Sequence, residues 1–94
     1  MARSAVSDTS QPRLADHVKL RFDAIRKRWV VMAPERMLLP DEVAVDVLKC
    51  CDGATPLATI IDRLATDYQA PVEVVGPDVV ALLQDLCERG FVTT

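Results

Sequence analysis

Few side chains in this 94-residue chain are of a type and spacing that could make or break covalent bonds. There is one histidine, His17, and no asparagine; the only serines, Ser4, Ser7 and Ser10, fall in the first ten residues, outside any core. A Ser-His-Asp arrangement therefore has no serine to use. Gly53, Gly76 and Gly90 stand too far apart for a loop that cradles phosphate. The three thiols, Cys50, Cys51 and Cys87, include no CxxC pair, and His17 is the one nitrogen that could join them, so a zinc site lacks ligands. An odd number of cysteines without a secretory segment reads as thiols in a reducing, cytoplasmic setting. Cys51 and Cys87 fall on apolar helical faces and are expected to be buried as small hydrophobes. Cys50 projects about 100° away from Cys51, with nothing nearby to activate it. The expectation is a chain that is not an enzyme and that takes no cofactor and no metal.

Charge narrows the partners. Lys and Arg number 11 against 14 Asp and Glu, a net charge of −3. The imbalance is divided along the chain: residues 1–36 hold eight basic and four acidic side chains, residues 37–94 three basic and ten acidic. Phosphate binding needs clustered Lys and Arg, and single-stranded nucleic acid needs aromatic platforms. Aromatic residues make up only 4% of the chain, so no nucleic-acid partner is expected. No apolar run exceeds the five residues of Val79 to Leu83, far too short to span a bilayer, so no membrane partner is expected either.

The elements that would position any site divide into strands and then helices. Residues 1–12 show no periodicity and are expected to form a mobile tail, leaving residues 13–94 as one domain. Val18, Leu20 and Phe22 alternate with Lys19, Arg21 and Asp23, which is the period of a half-buried strand. A polar turn at Arg26-Lys27-Arg28 leads to a second strand, Trp29 to Met32. Ala33-Pro34-Glu35 forms the next turn, and Arg36-Met37-Leu38-Leu39 is a short third strand stopped by Pro40. This predicts an antiparallel meander whose Met37–Leu39 edge is unusually apolar if uncovered.

Three helices follow. Asp41 is placed as the N-cap of the first, with Val43, Ala44, Val47, Leu48 and Cys51 on one face. Thr55-Pro56 suits the start of the second, whose stripe is Leu57, Ile60, Ile61, Leu64 and Tyr68. The third runs from Pro71 to about Arg89, with Gly90 as its left-handed C′ residue and Phe91 folding back. Gly76-Pro77 is expected to interrupt it or kink it. The fold class is α+β, a small three-stranded antiparallel sheet followed by three helices (β-β-β-α-α-α), in the manner of a winged helix-turn-helix. On the third helix Val75, Val79, Leu82 and Leu86 form one stripe and Val80, Leu83 and Cys87 its neighbour. The resulting arc of roughly 160° is wider than docking on one core requires. A DNA-reading helix would need positive charge here. Between Val72 and Glu88 there are instead four acids, Glu73, Asp78, Asp85 and Glu88, and no Lys or Arg.

Trp29 with Ala33-Pro34-Glu35, then Leu39, Val47-Leu48, Cys51-Asp52-Gly53, Ile60-Ile61, Leu64, Tyr68, Asp78-Val79, Leu82-Leu83 and Gly90 together resemble the PqqD family over roughly residues 12–92. The pattern departs from the family at Pro40, before the first helix, and at Gly76-Pro77. The resemblance implies a winged-helix peptide chaperone of pyrroloquinoline quinone (PQQ) biosynthesis, a recognition element for a ribosomally made precursor peptide. It further implies a PqqA-like precursor peptide and a PqqE-like radical S-adenosylmethionine (SAM) enzyme as partners, the enzyme cross-linking a Glu and a Tyr of the peptide. It also implies binding between the third strand and third helix, the two features the residues themselves leave over. The mode they suggest is addition of a peptide strand to the sheet. Arg36, Met37, Leu38 and Leu39 would supply backbone groups, Val75, Val79, Leu82 and Leu86 an apolar floor, and Asp78 a partner for basic side chains. The alternatives are a winged-helix DNA-binding regulator, against which charge speaks, and a structural module forming a homodimer through its open edge.

Overall fold

A computed structural model describes residues 6–94. In chain order the elements are β1 (Arg13–Leu14), β2 (Lys19–Asp23), β3 (Arg28–Ala33), β4 (Arg36–Leu38), α1 (Glu42–Lys49), α2 (Leu57–Tyr68), α3 (Val72–Glu88) and β5 (Val92–Thr93). The meander β2-β3-β4 is antiparallel, in the expected order, with β4 at one edge. Leu20 opposes Val31 and Phe22 opposes Trp29, so the alternation read from the sequence puts Val18, Leu20, Val31 and Leu38 on the side of the helices. Phe22, at the far end of that row, is 53% exposed; it lies beyond the core and is covered only by the edge-to-face ring of Trp29.

Helix packing follows the stripes with three differences. Leu57, Ile60, Leu83 and Leu86 are almost wholly enclosed, and each contributes roughly 1.5–3 kcal/mol of burial. Val43 is exposed and Val45 buried in its place. The two flank the Ala44 face by about 100° on either side, and only Val45 has the β2–β3 hairpin beside it. Tyr68 ends its stripe exposed because its hydroxyl donates to the Asp46 carboxylate of α1. Burial and that carboxylate push the phenol up to about 12. Thr55 does not cap α2: Asp52 accepts from the backbone N–H groups of Ala54 and Thr55 and from the Thr55 hydroxyl, and Pro56 occupies the cap position. These bonds hold the Asp52 carboxyl below its ordinary range.

The N-terminal expectation is also corrected. Residues 1–5 lie outside the described residues, but residues 6–12 form a docked strap. Val6 and Pro12 are buried. The carbonyls of Ser10 and Asp8 accept from Leu57 and Ala58 at 2.8 and 3.0 Å, satisfying the first turn of α2 that no side chain caps. Strands β1 and β5 add a two-stranded sheet that ties the two ends of the fold together, so the order is β-β-β-β-α-α-α-β.

The third helix is continuous from Val72 to Glu88, with Pro77 inside it. Proline disfavours helical geometry in the residue before it, chiefly through a clash with that residue's Cβ. Gly76 has none, and the helix passes through. Its end is as the sequence indicates: Gly90 is left-handed at φ +82°, its N–H bonds to Cys87 at 3.1 Å, and Phe91 folds back to Leu86 at 2.9 Å.

Candidate functional site

The surface between β4 and α3 is set by two local geometries. The first is the β3–β4 turn. Pro34 and Glu35 connect paired Ala33 and Arg36, with Glu35 at φ +65°. A two-residue turn closes on a hydrogen-bonded pair, and antiparallel pairs alternate from there. Arg36 and Leu38 therefore turn their backbone groups inward to Ala33 and Val31. Met37, opposite Met32, turns its N–H and C=O outward to the open edge, and the same alternation continues to Leu39. The side chains alternate across the faces of the sheet. Leu38 packs on the core, whereas Met37 and Leu39 are 44% and 45% exposed.

The second geometry is the wide apolar arc of α3. Val75, Val79, Leu83, Leu86 and Cys87 are buried and form the middle of the arc. Its margins, Leu82 on one side and Val80 on the other, are half-buried against the core. The Val80 margin adjoins Gln84, whose side-chain carbonyl accepts from the N–H of Val6 at 3.0 Å, so the strap covers that side. The Leu82 margin adjoins Asp78 and Asp85, both exposed and within about 60° of Leu82 around the helix. It also adjoins Arg89, which lies 3.4 Å from Asp85. The guanidinium groups of Arg36 and Arg89 both stand over the ring of Phe91, at 4.2 and 5.4 Å from its centroid. The start of β4 thus meets the end of α3 on the Leu82 side. Gly90 suits this junction through its left-handed φ of +82°, which strains other residues; a Cβ there would stand 3.0 Å from the tip of the Arg36 side chain, which can shift.

Of the residues singled out from sequence, Arg36 lies against Phe91 and Gly90 at the end of α3, Leu38 and Leu82 are half-buried against the core, and Asp78 is exposed beside Leu82 on the helix. Met37 contributes backbone rather than side chain. Val75, Val79 and Leu86 belong to the core and offer no surface of their own. Sequence reasoning missed Phe91 as the ring on which the groove's two arginines rest. It also missed the strap that closes the opposite margin. Chemically the surface offers outward peptide groups, an apolar floor and a carboxylate rim. Among the described residues no group of His, Cys, Asp and Glu is placed to hold a metal ion. Burial pushes the Cys51 thiol up to about 12, and its S–H bonds to the Val47 carbonyl. Burial also raises the half-buried Cys50. Neither thiol is activated.

Fold and surface together define a small α+β module that presents an open sheet edge beside a helix. The family described as Coenzyme PQQ synthesis protein D (PqqD) matches residues 28–92, and the chain belongs to this PqqD family. It is 56% identical over 88 residues to a PqqA binding protein of Rhodopseudomonas palustris (strain BisB5), covering 94% of this chain and 86% of that one. It is 37% identical over 76 residues to a PqqA binding protein of Gluconobacter oxydans (strain 621H), covering 81% and 79%. Among solved structures it is similar to the solution NMR structure of the PqqD truncation of Methylobacterium extorquens PqqCD, described as a functional and stand-alone RiPP recognition element. That match has a TM-score of 0.81 at 34% identity over 96% of both chains. The crystal structure of PqqD from Xanthomonas campestris matches with a TM-score of 0.56 at 34% identity, over 90% of this chain and 94% of that one.

Proposed function

We propose that this chain binds a PqqA-type precursor peptide as an added strand on β4 and presents it to a PqqE-type radical SAM enzyme, without catalysing a reaction itself. Its relatives' designation as PqqA binding proteins and its likeness to a RiPP recognition element support the peptide as ligand. The observation that carries the mode of binding is the open edge of β4, where the register with β3 turns the Met37 peptide group outward. Each backbone hydrogen bond to an added strand contributes about 0.5–1.5 kcal/mol net, so affinity is shared between the edge and the apolar floor. Asp78 and Asp85 favour a peptide with basic side chains on the α3 side. The same carboxylates oppose a DNA ligand at that helix. Binding without chemistry agrees with the paucity of acid, base and nucleophile in the chain, and a reducing, cytoplasmic setting suits its thiols.

The test compares two prolines. Met37→Pro removes an outward N–H that no neighbouring strand uses, which an edge tolerates. The variant should melt near the parent temperature yet bind the peptide at least tenfold more weakly. Leu38→Pro removes an inward N–H paired with β3 and should unfold. A folded Met37→Pro variant with parental affinity would exclude strand addition.

A further inference from the structure

The β2–β3 hairpin, whose tip touches the peptide edge through Arg26 against Met37, has a constitution of its own. Lys19, Arg21, Arg26, Lys27 and Arg28 stand against one acid, Asp23, and all five cations are exposed. At its tip Ile25 is 95% exposed. The tip is held in shape: Asp23 accepts from the N–H groups of Ile25 and Arg26 at 3.0 and 3.1 Å, and Lys27 is left-handed at φ +56°. Beside the tip a cleft of about 730 Å³ separates the hairpin from α1. Its lining includes the edge-to-face rings of Phe22 and Trp29, 5.6 Å apart, with the Lys49 ammonium 4.5 Å from the Trp29 ring centre. Asp41, Glu42 and Asp46 line the α1 wall, so the excess of positive charge lies on the hairpin side.

One exposed isoleucine is ordinary. An isoleucine fixed on an ordered tip, flanked by cations and set beside a concave aromatic cleft, specifies its counterpart. That counterpart has a socket for Ile25, carboxylates around the socket and a ridge that enters the cleft. Nucleic acid supplies the negative charge but no aliphatic socket, and an anionic bilayer supplies no ridge. We infer that the tip of the β2–β3 hairpin is a second docking surface, for an acidic protein surface. The two surfaces adjoin: β4 runs back along β3 toward the hairpin, the Arg26 guanidinium donates to the Met37 sulfur at 3.9 Å, and Arg28 donates to the Pro40 carbonyl at 3.4 Å. On the function proposed above, the protein docked here is the enzyme that receives the peptide.

The test uses the purified PqqE-type enzyme of the same organism as probe, with this protein immobilised, over rising salt. Parent protein should associate with the enzyme at a rate that falls steeply with ionic strength. Ile25→Asp and Lys27→Glu should each weaken the complex at least tenfold while leaving precursor-peptide affinity unchanged. The inference is overturned by a parent protein that does not bind the enzyme, by salt-insensitive binding, or by variants that bind like the parent. It is equally overturned if the same variants lose affinity for anionic vesicles or duplex DNA but not for the enzyme. Failure of the parent protein to bind the peptide would contradict the groove and not the hairpin, so the two readings fail separately.

Discussion

At the scale of single residues, the groove rests on a distinction within one helix face. Val79 and Leu82 both belong to the apolar arc of α3, yet Val79 is enclosed and Leu82 sits at its uncovered margin beside Asp78 and Asp85. Val79→Asp buries an unpaired carboxylate and should unfold a domain with only about 5–15 kcal/mol to lose. Leu82→Asp leaves its carboxylate at the surface. It should lower the melting temperature modestly and weaken peptide binding roughly ten- to a hundredfold, the equivalent of losing one apolar contact. Melting and peptide titration of the pair check this, and equal unfolding of both would move Leu82 into the core. The width of the arc was legible from spacing alone. Its division was not, because helical periodicity says which residues share a face and not what covers either margin. That was decided by Gln84 and Val6, 78 residues apart in the chain.

At the scale of elements, turn and cap chemistry carried across well. Asp41 accepts from the Ala44 N–H at 2.8 Å, and Gly90-Phe91 closes α3 as the residue types require. Tertiary demands account for what did not carry across. Two-residue strands such as β1 and β5 show no period, and Thr55 was diverted from capping α2 by the nearer Asp52. The Gly76-Pro77 step, expected to interrupt or kink α3, lies within a continuous helix: Pro77 forfeits the N–H that would bond to the Glu73 carbonyl, and Gly76 relieves the clash. Pro77→Ala should restore that bond and raise stability by about 1–3 kcal/mol, visible as a higher melting temperature with unchanged peptide affinity. A lower melting temperature would show that Pro77 is held in place by contacts its own helix does not require.

At the scale of the whole molecule, the strap satisfies the first turn of α2 and the β1–β5 pair joins the two ends of the fold, while among the described residues no strand pairs with the outer edge of β4. Removing residues 1–10 strips Leu57 and Ala58 of their carbonyl partners and Gln84 of its bond to Val6. These lost hydrogen bonds should reduce stability by roughly 1–3 kcal/mol in denaturant titration, while peptide affinity holds. A truncated protein as stable as the parent would mean that the strap contributes nothing to the fold. The division of charge along the chain also gains a spatial meaning, with a basic hairpin at one end of β3 and an acidic α3 margin beside β4. The central claim, a peptide strand paired to β4, is tested most directly by amide hydrogen exchange at Met37 with and without saturating precursor peptide. The Met37 amide, which points outward and has no partner strand in the free protein, should exchange at least tenfold more slowly in the complex. The Leu38 amide, already paired with β3, should gain no comparable protection. Exchange at Met37 that stays unchanged while the peptide is demonstrably bound would contradict the account.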